Sequence, residues 1–130
     1  METTVQNTKA PETALHEHDL RHFTGSENWY RHSIYRSFLY TDGVQYVAEK
    51  GGAYWLIDKI FAEQFEIPNL SEQEFQAWIL SVQEDKSALL TCHDGNYNSL
   101  HKETIAYTDF PMKEIKFYFQ NNVLLLTSEY

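Results

Sequence analysis

Apolar residues recur at helical spacing from Val44 to Phe61, and two adjacent glycines, Gly51-Gly52, cut that stripe in half. Val44, Val47 and Ala48 share one face before the break. Ala53, Leu56, Ile57, Ile60 and Phe61 share one face after it, at i, i+3, i+4, i+7 and i+8. Two glycines inside a helix cost about 2 kcal/mol relative to alanine. The chain is therefore expected either to bend there, as two helices, or to press that point against another part of the backbone. Asp42 reads as the N-cap of the first half, with Gln45 three residues on as in a capping box. Ile67-Pro68-Asn69 ends the second half.

Beyond Pro68 the pattern turns extended. Residues 75–83 fit both periods, with Phe75, Ile79 and Val82 at helical spacing and Trp78, Leu80 and Val82 alternating. The residues after Gln83 favour a strand. Glu84-Asp85-Lys86-Ser87 reads as a hairpin turn, Ala88 to Cys92 as the partner strand, Asp94-Gly95-Asn96 as a second turn, and Leu100 to Tyr107 as a third strand. Asp109 then caps a last helix, with Pro111 in its first turn, Met112, Ile115 and Phe119 toward the core, and Asn121-Asn122 as a left-handed C-cap. Val123 to Leu126 is a continuous apolar run, read as a buried strand.

Upstream, residues 1–18 are polar and aperiodic, so no fixed structure is expected of them. A short helical turn is expected near Asp19, and a short extended segment at Phe38-Leu39-Tyr40. The fold class is α+β: N-terminal helices, an antiparallel three-stranded meander, then a helix and a final strand, forming one sheet packed on helices in a single domain over residues 19–130.

The charge of −9, from 10 basic and 19 acidic residues, argues against gripping phosphate backbones, which requires a basic face. A nucleic acid is thus not expected as a direct ligand. A single cysteine, Cys92, excludes an internal disulfide and suits a reducing compartment. No apolar run nears the roughly 20 residues of a membrane helix, and the N-terminus lacks the apolar centre of a secretory signal. The expectation is a cytoplasmic protein without a membrane partner.

The densest aromatic and basic stretch is Trp29-Tyr30-Arg31-His32, with Tyr35, Arg36 and Tyr40 close behind. Such residues can stack on a ring, bind an anion or anchor a protein contact. The bland alternative buries Trp29 and Tyr30 under the sheet and pairs Arg31 and Arg36 with surface acids. His16, His18, His22 and His32 form a loose histidine group. His18 and His22, four apart, would share a helix face at a workable zinc spacing, but no cysteine supports them. In Asp94-Gly95-Asn96-Tyr97-Asn98 oxygen donors alternate as at the start of a calcium loop, yet the position that should hold glutamate is Ile105, so a hairpin turn is expected. Cys92 and His93 are adjacent on a strand and point to opposite faces, so Cys92 is read as a buried structural thiol. No phosphate loop, nucleophile elbow, metal set or cofactor motif emerges, and no catalytic residue is assigned.

The stretches FTGSENWYRH (23–32), LYTDGVQYVAE (39–49), GAYWLIDKI (52–60), LTCHDGN (90–96), YTDFPMKEIKFY (107–118) and LLLTSEY (124–130) resemble, in order, an uncharacterised bacterial family, the domain of unknown function numbered 6876. Where that family has proline near its C-terminal end, this chain has Thr127. The resemblance implies a single domain and, from its occurrence in cyanobacteria and on plasmids, a mobile-element setting. It implies no activity, catalytic residue or cofactor.

The first functional expectation is a non-enzymatic module that binds another protein, or a second copy of the chain, through residues 29–40. The second is a small enzyme with His32 as general base, near Asp42 or Tyr40. The third is an acidic inhibitor imitating nucleic acid.

Overall fold

A computed structural model describes residues 15–25 and 28–130. Residues 1–14 of the segment expected to lack structure lie outside the described residues. Leu15 is buried, and helix α1, Glu17–Leu20, follows it at once.

The fold is α+β, with three α-helices and one seven-stranded mixed sheet among the described residues. In chain order α1 is followed by β1 (Trp29–Arg31), β2 (Leu39–Thr41), α2 (Asp42–Gly51), α3 (Tyr54–Glu66), β3 (Phe75–Val82), β4 (Ala88–His93), β5 (Ser99–Ile105), β6 (Glu114–Gln120) and β7 (Val123–Leu126). The strands lie in the order β1-β2-β7-β6-β3-β4-β5. Only β2 and β7 run parallel; every other neighbouring pair is antiparallel. Among the described residues no helix is long and apolar enough to cross a membrane.

The glycine pair takes the first of the two courses expected of it, a bend between two helices, and what presses on Gly51 is side chains rather than another backbone. Gly52 takes the left-handed conformation, φ 62°, that lets the chain leave α2 and re-enter a helix at Tyr54. Gly51 meets Phe110 and Leu15 so closely that a Cβ there would lie 2.7 Å from the Phe110 ring. The N-cap of α2 is one residue earlier than expected. Thr41 ends β2 with an extended backbone, and its Oγ1 accepts from the Val44 N–H at 3.3 Å. Asp42 instead lies inside the first turn.

The helix expected from Asp109 is a strand, β6. Ile115, Phe117 and Phe119 are buried and alternate with outward-facing Lys116 and Tyr118. A helix presenting Met112, Ile115 and Phe119 would have left Phe117 without a core. Aromatic and β-branched side chains favour the pleated alternative, and β6 closes the free edge of β3. Asn121 and Asn122, at φ 55° and 65°, form the two-residue turn of a β6–β7 hairpin rather than a helix cap. Asp109 caps nothing; its carboxylate accepts from the Tyr107 hydroxyl.

The core lies between the sheet and the pair α2 and α3. Leu56, Ile57, Ile60 and Phe61 meet Trp78, Leu80, Leu90, Phe117 and Leu124, all essentially fully buried. On the opposite face the rings of Phe75, Tyr118 and Tyr130 pack together, Tyr130 edge to face on each of the other two.

Candidate functional site

Residues 29–40 form one unit: β1, a loop, and β2 returning antiparallel to it. The loop closes through His32 N–H to the Phe38 carbonyl at 3.1 Å. His32 braces it from inside. Its Nδ1 accepts from the backbone N–H groups of Ile34 and Tyr35, at 3.0 and 3.1 Å, which fixes the proton on Nε2. That Nε2–H donates to Asp58 on α3 at 2.6 Å. His32 is buried, and both ring nitrogens are engaged by the protein.

The other side chains of the unit divide between support and display. Tyr30 stacks on Tyr40 at 5.7 Å and donates its hydroxyl to Asp42 at 2.9 Å. That hydrogen bond to a carboxylate raises the Tyr30 pKa. Burial, with the charge of Asp58, raises that of Tyr40. Tyr35 packs on Phe65 at 5.5 Å. Trp29, by contrast, is 57% exposed and Ile34 is 74% exposed, and Phe65 beside Tyr35 is 66% exposed. Arg31 donates to the backbone carbonyl of Arg36. Among the described residues neither arginine forms an ion pair. Trp29 is therefore not under the sheet, and Arg31 and Arg36 pair with no surface acid among the described residues. β1 is an edge strand, so one row of its backbone groups is unpaired within the sheet.

A second group escaped the sequence reading. Lys59 and Glu63, one turn apart on α3, meet His101 and Glu103 of β5. His101 Nε2 lies 3.0 Å from Glu103 Oε1 and 3.6 Å from Glu63 Oε2. Lys59 Nζ lies 2.7 Å from Glu103 Oε2 and 3.6 Å from Glu63 Oε2. The available signal was His101-Lys102-Glu103: two polar side chains at i and i+2 of a strand share a face, here the face that faces the helices. Beside this group a cleft of about 380 Å³ opens, lined by Tyr35, Trp55, Asp58, Lys59, Glu63 and Glu66 among others.

The remaining candidates resolve locally. His16 and His18 stack at 5.7 Å, and His18 lies 3.3 Å from Asp19. Asp94 accepts from the backbone of Asn96 and from both the backbone and side chain of Asn98, which lowers its pKa and closes the β4–β5 hairpin. Cys92 is 1% exposed and burial pushes its thiol up to about 12. Only the thiolate reacts readily. A thiol reagent at neutral pH is thus expected to leave native Cys92 unmodified and to label it fully in denaturant, as mass spectrometry would show. Rapid labelling of the native protein would refute its burial.

No curated protein and no solved structure matches the chain. One family model does, over residues 14–130, and with nearly all of the sequence covered the chain belongs to that family, the family of unknown function DUF6876.

Proposed function

We propose that the protein is a non-enzymatic binding module that holds an extended segment of another protein along the free edge of β1. The observation that carries this reading is the pairing of an open strand edge with exposed anchors. Trp29 begins β1 and Ile34 lies just past its end, both more than half exposed, while Tyr30 and Tyr40 are locked behind them. A strand added to β1 gains main-chain hydrogen bonds, and side-chain anchors on either side supply specificity. Trp, Tyr and Arg are the residues that most often dominate such contacts.

Among the described residues Arg31 and Arg36 are exposed and form no ion pair, in a chain of charge −9. They favour a partner segment carrying carboxylates between apolar residues, and they disfavour a symmetric contact that would set these arginines against each other. An accessory role on a mobile element is the setting this reading expects. A general-base role for His32 draws no support from its geometry, because neither ring nitrogen is turned to a substrate.

Selection from a displayed peptide library tests the reading. Enriched peptides are expected to alternate apolar and acidic residues. Trp29→Ala with Ile34→Ser is expected to weaken their binding by about tenfold or more while the melting temperature stays unchanged, since exposed anchors contribute little to folding. Absence of enrichment, or undiminished binding by the double variant, would remove β1 from consideration.

A further inference from the structure

The Lys59, Glu63, His101 and Glu103 group occupies an odd place for charge. His101 lies opposite Cys92 and Glu103 opposite Leu90 on the helix-covered face, and both of those partners are buried. The Glu63 side chain is only 8% exposed. Lys59 Nζ and His101 Nε2 each stand 3.6 Å from its Oε2, beyond a sound hydrogen bond. Its near polar neighbour is another carboxylate, Glu103, within hydrogen-bonding reach. Two carboxylates that close cannot both be ionised unless a proton or a cation lies between them. Burial, reinforced by Glu103, raises the Glu63 pKa. Burial acts the same way on Glu103, but Lys59 and His101 outweigh it and the net shift is downward.

We propose that Glu63, His101 and Glu103 form a zinc site, in which the metal lies between the imidazole and the two carboxylates. One ligand atom from each residue lies within 4.8 Å of the other two. Zinc held tetrahedrally at about 2.0–2.1 Å sets its ligand atoms about 3.3 Å apart. The His101–Glu103 and His101–Glu63 separations, 3.0 and 3.6 Å, bracket that edge. One imidazole and two carboxylates are a nitrogen–oxygen donor set that suits zinc rather than a soft ion. Lys59 engages Oε2 of Glu103 and leaves Oε1 toward His101, so it serves as the outer partner that orients a ligating carboxylate. Three protein ligands leave a fourth position, as in zinc sites that accept a further ligand. Glu63 and Lys59 also line the neighbouring cleft, which gives that position its outlet.

Calorimetric titration of the full chain with zinc chloride tests this. One zinc per chain is expected. Glu63→Gln and His101→Ala are each expected to weaken binding by about tenfold or more. His18→Ala is expected to leave it unchanged. No saturable binding, equal binding by both site variants, or loss of binding in the His18 variant would overturn the proposal. If the site variants do not fold, cobalt(II) loaded into the unaltered chain decides. Intense visible absorption of a tetrahedral ion supports the site, and the weak spectrum of an octahedral ion overturns it.

Discussion

Replacing Gln76 with leucine is expected to remove about 3–5 kcal/mol of folding stability, although leucine is the more apolar residue. Gln76 lies on β3 with no exposed surface. Its Nε2 donates to Gln64 Oε1 at 2.9 Å and to the Leu70 carbonyl at 3.0 Å, and its Oε1 accepts from Gln64 Nε2 at 2.8 Å and from the Trp78 indole at 2.9 Å. Every hydrogen-bonding position of the amide is filled. Leucine would orphan the indole N–H and remove two of the three hydrogen bonds of the Gln64 amide, at about 1–3 kcal/mol for each buried group left unmade, while the Leu70 carbonyl would keep only the Gln73 N–H. Gain from the apolar side chain offsets only part of that loss. Gln64→Leu is expected to cost less, because the Trp78 and Leu70 bonds survive. The double variant is expected to cost at least about 1 kcal/mol less than the sum of the singles, since each amide's main partner is the other. Urea unfolding of the four proteins checks this. A Gln76→Leu protein within about 1 kcal/mol of the parent would show that the amide network contributes little.

The same pair shows where sequence reasoning ran out. Two glutamines, twelve residues apart, carry no mark of being buried; only the packing of α3 on β3 makes them partners. The apolar face of α3 was legible because five residues obey one period. β3, β4 and β5 were legible because turn residues punctuate them. β6 was misread because Met112, Ile115 and Phe119 fit a helix about as well as Ile115, Phe117 and Phe119 fit a strand. The tie was broken by long-range pairing with β3, which no local pattern carries. The parallel contact of β2 with β7 is equally remote. At the candidate sites, the aromatic–basic stretch was visible as composition, but which side chains support and which are displayed depends on β1 and on Asp58. His32 looked available as a base and is a brace. Glu63, His101 and Glu103 come from a helix and a strand whose juxtaposition only the fold supplies.

Gly43→Ala is expected to destabilise the protein by about 2–3 kcal/mol, against the roughly 1 kcal/mol gain that alanine normally brings to a helix. The reason lies at the opposite end of the chain. Glu129 reaches back over the start of α2. Its Oε1 accepts from the Thr41 hydroxyl at 2.6 Å and from the Leu126 N–H at 2.8 Å, and its Oε2 accepts from the Gly43 N–H at 3.1 Å. A carboxylate there satisfies an N–H of the first turn that has no partner within the helix, and it sits at the positive end of the helix dipole. The fit depends on the bare Gly43 backbone. A Cβ would stand 2.5 Å from Leu126 Cδ1 and 2.7 Å from Glu129 Oε1. Leu126 is buried and Glu129 is pinned by three hydrogen bonds, so neither yields freely. Glu129→Ala alone is expected to cost about 2–4 kcal/mol, as charge-assisted bonds that tie residues 86 and 88 positions apart are lost. In that background Gly43→Ala should cost at least about 1 kcal/mol less than in the parent, because one of the two clashes has gone and the helix gain remains. Denaturant melts of the four proteins give the coupling directly. A neutral or stabilising Gly43→Ala would mean that the C-terminal turn is not clamped to α2 in solution.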